Sequence, residues 1–371
     1  MELSYWEYKT WLSHIDFTIV GSGIVGLNCA LRLHERFPKA KILILEKGFL
    51  PQGASTKNAG FACFGSISEI LADLGVHSEQ EVINLVGQRW KGIQLLRKNL
   101  GDQAIDFQVH GGHELFLGSA QNLYHKCAEQ LPEVNKLLKS VYGADAFHLG
   151  PNVFGFNKVK EKYITNTFEG QLDTGKMMNS LLQLVQRAGI VLINSITVED
   201  FSANESGVHV KTDRFEFKTK KIFIATNGFA GQLLNEEVKP SRAQVLITEP
   251  IENLHIKGTF HFDEGYYYFR NIDNRILFGG GRNLDFKGEE TNQFGCTQTI
   301  QQHLDTLLKE VVLPHTPHTV AQRWSGIMGT GKQKKPIVKQ ISDNVYCGVR
   351  LGGMGIAIGS NVGKELADLT E

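Results

Sequence analysis

Gly21, Gly23 and Gly26 fall in the spacing G-x-G-x-x-G, and an acid, Glu46, stands further along at the end of an apolar run. Together these residue types suit one task, which is holding a dinucleotide. Gly21 permits a tight turn, Gly23 lets the backbone approach a pyrophosphate, and Gly26 lets a helix pack close to a strand. Ile24 and Val25 stand within the turn, and the N-terminus of the helix that follows offers unpaired N–H groups and a partial positive charge to the phosphates. Glu46, followed by Lys47, can accept bonds from both hydroxyls of an adenosine ribose. Its charge repels a 2′-phosphate, which disfavours NADP.

A second group, Tyr266-Tyr267-Tyr268-Phe269-Arg270, reads as a strand. Alternation places Tyr266, Tyr268 and Arg270 on one face and Tyr267 with Phe269 on the other. Arg270 offers a planar fork that matches a carboxylate. Other patterns carry less. Residues 326–332, GIMGTGK, approach a phosphate loop, but Gln333 replaces the hydroxyl that would hold Mg²⁺ and Pro336 blocks a helix. The pairs His110/His113 and His315/His318 lack a third metal ligand and read as ordinary histidines.

These residues need a scaffold. The glycine turn lies between an apolar strand at 17–20 and a helix whose apolar residues are Leu27, Ala30, Leu31 and Leu33; a second strand at 41–45 runs into Glu46. Strand, turn, helix, strand and terminal acid stand in the order a dinucleotide site requires. Residues 48–65, GFLPQGASTKNAGFACFG, form a long loop of small residues, a length that is usually functional. Helices are expected over 78–100, 119–140, 172–188 and 296–312, the first with a capping box at Ser78 and Glu81. Strands are expected at 191–194, 207–212, 215–225, 242–248 and 320–327. A hairpin spans 266–282 with its turn at Ile272-Asp273-Asn274, and 107–117 reads as a strand or hairpin. The chain ends as strand, Gly352-Gly353-Met354-Gly355, helix. Residues 1–15, with Tyr5, Trp6, Tyr8 and Trp11, read as a short helix packed on the body.

With 371 residues the chain is long enough for two domains. Lys+Arg and Asp+Glu both number 39, so no global field favours nucleic acid or acidic membranes. Five irregularly spaced cysteines, without a CxxC pair, read as free thiols in a reducing compartment. No stretch approaches a membrane span and the first residues do not read as a signal peptide, so a cytoplasmic location is expected.

The glycine turn with Glu46, the loop Gly53 to Gly60, the strand end Ala225-Thr226-Asn227-Gly228 and the C-terminal strand–GGMG–helix resemble the FAD-dependent D-amino-acid oxidase family over nearly the whole chain. The resemblance implies an α/β fold: a Rossmann-like FAD-binding domain (1–77, 145–235 and 321–371) interleaved with a substrate domain on a large antiparallel sheet (78–144 and 236–320). It implies FAD, held by the glycine turn, by Glu46 and Lys47, by Ser55, Thr56, Asn58, Ala59, Gly60 and Phe61, and by Val198. Thr226, Asn227, Gly228 and Gly326 would join them, with Arg350 and Gly352 to Ile356. Some members link FAD covalently through His or Cys, but the loop 48–65 has no His and Cys347 comes too early in the final strand, so non-covalent FAD is expected. The last helix would aim its N-terminus at the flavin edge that becomes negative on reduction. Tyr268 would face the substrate, with Arg270 and Arg350 beside it in the catalytic site.

The resemblance also has gaps. The family often carries an arginine in a W-x-G-x-R pattern, whereas Trp324-Ser325-Gly326-Ile327-Met328 ends in methionine. A substrate carboxylate would then fall to Arg270, Arg282 or Arg350, or be absent. The family's oxygen-activating lysine has no counterpart in Arg275 to Phe278, which puts oxidase activity in doubt. The expected reaction is oxidation of a C–N bond in a small amine or amino acid by hydride transfer to flavin N5. The electrons would pass to O₂ or another acceptor, and the oligomeric state stays open. The alternatives are oxidation of a 2-hydroxy acid or polyol phosphate, and a flavin-binding protein without catalysis.

Overall fold

The strand Ile15–Val20 becomes the centre of a parallel sheet, because both of its edges are taken. Ile42–Leu45 pairs on one side and Glu216–Ile224 on the other, both parallel. Val191–Ile193 extends the sheet beyond Ile42–Leu45, and Val345–Val349 beyond Glu216–Ile224, again in parallel. The structure is a computed structural model that describes residues 2–370. Burial on both faces explains why Ile42–Leu45 and Val345–Val349 read as unbroken apolar runs. Ile42 and Ile44 join the core on one face, while Leu43 and Leu45 join that on the other. The antiparallel strands Gly207–Thr212, Val198–Asn204 and Ile337–Ser342 complete this sheet.

The last helix, Gly355–Asp368, is gripped between two others. A Cβ on Gly363 would lie 2.5 Å from the Val25 carbonyl oxygen of the helix Ile24–Arg36. On the other side, a Cβ on Gly92, in the helix Glu79–Leu100, would collide with the Ala357 carbonyl. Both contacts are backbone against backbone, a proximity only glycine allows. Val82, Val86, Ile93 and Leu96 therefore join the same core as Phe17 and Ile19. The expectation placed 78–100 with the substrate half; the helix packs on the core of the first sheet.

The second sheet has eight strands in the order Val320–Thr330, Lys239–Thr248, Arg275–Gly280, Tyr267–Ile272, Thr259–Phe262, Gly112–Glu114, Lys162–Asn166 and Phe147–Pro151. It is antiparallel except where Thr259–Phe262 meets Gly112–Glu114. One face buries Phe260, Phe262, Tyr267, Phe269 and Phe278 against the helix Gln298–Leu307 and the turn after it. The other face presents Val245, Tyr268 and Leu277 to Ala59 and Phe61 of the long loop. The turn of the Tyr267–Ile272/Arg275–Gly280 hairpin is Asp273-Asn274, both at positive φ (48° and 56°), as a two-residue hairpin of this hand demands.

Three further expectations are refined by the structure. Phe147–Pro151, Lys162–Asn166 and Val320–Thr330 belong to the second sheet, although 145–235 and 321–371 were expected with the first. No change in composition marks these crossings. At residues 107–117 the strand reading holds for Gly112–Glu114 and the hairpin reading does not. Near the N-terminus, Tyr5–Glu7 is one helical turn capped by Ser4, followed by a π-type turn Tyr8–Leu12; Leu12 is buried, but Tyr5, Trp6, Tyr8 and Trp11 are exposed. Among the described residues, all five cysteines are free, and no helix is long and apolar enough to cross a membrane.

Two carboxyls are buried at the start of the helix Ile67–Leu74. Glu114 accepts bonds from the Ser68 N–H and hydroxyl, and Glu169 accepts the Phe64 N–H at 2.7 Å. Burial pushes Glu114 up from 4.5 to about 7 and Glu169 to about 8. Each binds its proton more tightly folded than unfolded. Stability should therefore fall as pH rises from about 4.5 through these values and level off above them. We expect Glu169→Gln to flatten much of that fall in thermal unfolding measured from pH 5 to 9. We also expect Gly92→Ala to destabilise the protein by about 1–3 kcal/mol, since the added Cβ must push two helices apart.

Candidate active site

A cavity of about 970 Å³ runs from the glycine turn to the Tyr268 face of the second sheet. Its nucleotide end is built as the spacing requires. Gly21 turns at φ +104°, and a Cβ there would lie 2.9 Å from the Ala225 carbonyl oxygen. A Cβ on Gly26 would strike the Gly21 carbonyl, so this glycine serves packing and does not line the cavity. The Ile24 N–H donates to Ser55 Oγ at 2.9 Å, so a loop hydroxyl sits where the helix N-terminus would meet a phosphate.

Glu46 is buried and held by four donors. The Ser22 N–H and hydroxyl reach one oxygen (3.0 and 2.7 Å), and the N–H groups of Gly48 and Gln52 reach the other (3.0 and 3.3 Å). A carboxylate so fixed is aimed before any ribose arrives. Lys47 and Val198 line the cavity beside it.

The middle and far end are framed by chain returns. The Thr226 hydroxyl is buried without a partner among the described residues. Asn227, at φ 45°, accepts the Leu351 N–H with its side-chain oxygen at 3.1 Å and so joins the strand end to the segment before the last helix. Gly352 turns at φ +58°, and a Cβ on Gly352 or Gly353 would meet nothing within 4 Å. Met354, the N-cap of Gly355–Asp368, makes no side-chain cap. The helix therefore presents its positive end, with Gly355 and Ile356, to the cavity. An orphaned hydroxyl, open space over two glycines and two helix N-termini on one cavity fit a flavin dinucleotide.

Of the remaining expected residues, Asn58, Ala59, Gly60, Phe61, Gly326 and Tyr268 line the cavity; Thr56, Gly228 and Arg270 do not. Thr56 turns its hydroxyl back to the Pro51 carbonyl (2.7 Å), and Gly228 packs against the Met328 carbonyl. Arg270 shares the face of Tyr268, but it lies under the loop and donates to the carbonyls of Leu172 (2.8 Å) and Gly60 (3.3 Å). Burial lowers its pKa to about 10. It ties the loop down and is turned away from the carboxylate role. Arg350 lines the cavity from a strained φ of 65°, with its guanidinium donating to the carbonyls of Lys335 (3.1 Å) and Glu237 (3.3 Å).

Two other residues come forward. Arg282 lines the cavity, and its guanidinium makes no hydrogen bond or ion pair among the described residues and lies 5.0 Å from the Phe286 ring centre. His261 also lines the cavity; it is buried and sits directly across from Tyr268 on the neighbouring strand. The signal that could have found it is the alternation Thr259-Phe260-His261-Phe262, which a four-residue run shows too briefly to mark a strand by itself. Met328 lines the cavity too, so the place where the family pattern carries arginine offers no charge.

Known proteins resemble this chain over most of its length. The chain is 21% identical to the probable oxidoreductase OrdL of Haemophilus influenzae, over 97% of this chain and 83% of that protein. It is 22% identical to the gamma-glutamylputrescine oxidoreductase of Escherichia coli, over 95% of this chain and 83% of that one. The fold matches the crystal structure of glycine oxidase from Geobacillus kaustophilus with a TM-score of 0.76 at 18% identity, covering 95% of this chain and 94% of that one. The FAD dependent oxidoreductase family model matches residues 16–369, and the chain belongs to that family of FAD-dependent enzymes.

Proposed function

We propose that this enzyme oxidises a C–N bond of a small amine or amino acid. The observation that carries the reading is that the uncapped N-terminus of Gly355–Asp368 and the Tyr268–His261 wall border one cavity. FAD, when bound there, supplies the hydride acceptor. The chain's own residues do the rest. The helix N-terminus stabilises negative charge on the group it meets. Val245, Leu277 and Phe61 exclude water around Tyr268 and favour an amine bound without its proton. Burial holds the Tyr268 hydroxyl protonated, with its pKa pushed up to about 12, so it acts as a hydrogen-bond donor and not as an anion.

The carboxylate of an amino-acid substrate falls to Arg282. Among the three arginines considered from the sequence, it alone lines the cavity without its guanidinium bonded to the backbone. Its face on Phe286 leaves the fork of N–H groups open. For the architecture, we propose that 147–166 and 320–330 count with the substrate half, and the helix Glu79–Leu100 with the nucleotide half. The electrons pass to O₂ or another small acceptor. The free thiols support a cytoplasmic location.

FAD should release from the purified protein on denaturation without a covalent link, and protein purified with no flavin would contradict the reading. Arg282→Ala should raise KM for amino-acid substrates about tenfold or more while barely changing KM for an uncharged amine, as steady-state kinetics on paired substrates would register. If both KM values were unchanged, the carboxylate would have no receptor at Arg282.

A further inference from the structure

Among the described residues, only two cavity-lining residues carry a buried side-chain atom without a hydrogen-bond partner: Thr226, at its hydroxyl, and His261, at Nε2. Thr226 lies at the strand end that frames the cofactor. His261 lies on the second sheet, away from the glycine turn, and is only 8% exposed. That Nε2 is sealed from the cavity too, so the ring nitrogen a ligand can meet is Nδ1, which also makes no hydrogen bond among the described residues. His113, also buried with an orphaned Nε2, makes the contrast. Its Nδ1 is bonded to Thr165 (2.8 Å), its ring stacks on Phe260, and it does not line the cavity.

We propose that His261 is the residue that holds the substrate nitrogen. This rests on the C–N reading above. The ring is clamped: Tyr268 stands directly across the strand pair, and Phe61 meets both rings edge-on at 5.2 and 5.5 Å. Burial keeps the imidazole neutral, opposed only by the field of Glu69, so it presents an acceptor nitrogen. A neutral acceptor suits an amine N–H and does nothing for a carboxylate. With the N–H held, the nitrogen lone pair stays free. As the α C–H bond breaks, its hydrogen and electron pair leave for the bound FAD. The lone pair then forms the C=N bond, and His261 holds the N–H of the resulting iminium until water adds. His261 is in this sense a substrate-binding residue that also steadies the charge formed on nitrogen.

The test uses the FAD-loaded enzyme under anaerobic conditions with glycine, N-methylglycine, L-proline and 1,4-diaminobutane as probes. For each probe that bleaches the wild-type flavin, His261→Phe should raise the apparent Kd about tenfold. His261→Gln, which keeps an acceptor, should stay within about threefold. Both should keep the wild-type affinity for sulfite at the flavin, which shows that the cofactor site is intact. In ¹⁵N-histidine NMR of the reduced wild-type enzyme, which cannot turn over, the His261 ring signal should move when the same probe is added. An unmoved signal, or a His261→Phe Kd within twofold of wild type, overturns the assignment alone. If no probe bleaches the wild-type flavin, the C–N reading fails, and this proposal fails with it.

Discussion

The structure depends on a close backbone contact between the two ends of the chain. Gly363 of the last helix lies against the Val25 carbonyl of the helix Ile24–Arg36, and Gly92 closes the other side of the same last helix. These contacts fix where the last helix begins, and hence where Gly352, Gly353 and Met354 open into the cavity. The glycine turn and the closing helix thus give one cavity two positive helix ends: one suited to phosphates, the other to charge that appears on reduction. The Asn227 bond to the Leu351 N–H locks the middle of this frame.

The second sheet divides its labour by alternation. Tyr267 and Phe269 go to an aromatic core with Phe260, Phe262 and Phe278, while Tyr268 and His261 face the loop and the cavity. That core holds the hairpin rigid, so the polar tips on the opposite face are placed by packing. Arg270 uses the same face to tie Gly60 and Leu172 together, which positions Ala59 and Phe61 as the wall against Tyr268. Had Arg270 pointed into the cavity, the loop would lack that anchor.

Local rules made much of this legible. Glycine spacing, the strand–helix–strand order, Glu46 and the terminal GGMG are short-range patterns whose physics does not depend on distant partners. The capping box at Ser78 and the Asp273-Asn274 turn are of the same kind. What stayed hidden depends on contacts made at long range. Whether Arg270 reaches the cavity depends on carbonyls of Gly60 and Leu172 that no spacing rule brings near it. His261 needed the pairing of Thr259–Phe262 with Tyr267–Ile272 before alternation could assign it a face. The sheet membership of 147–166 and 320–330 was hidden because those strands follow their neighbours without a linker.

The central claim is that one flavin spans both helix ends, with its reactive ring at the Gly355 helix and the Tyr268–His261 wall. A crystal structure of the FAD-loaded protein tests this most directly. The account predicts the pyrophosphate at Gly23 and Ile24, the adenosine ribose at Glu46, and the pyrimidine edge of the isoalloxazine within hydrogen-bond reach of the N-terminus of Gly355–Asp368. An isoalloxazine bound away from that helix end, or an adenine in its place, would contradict it.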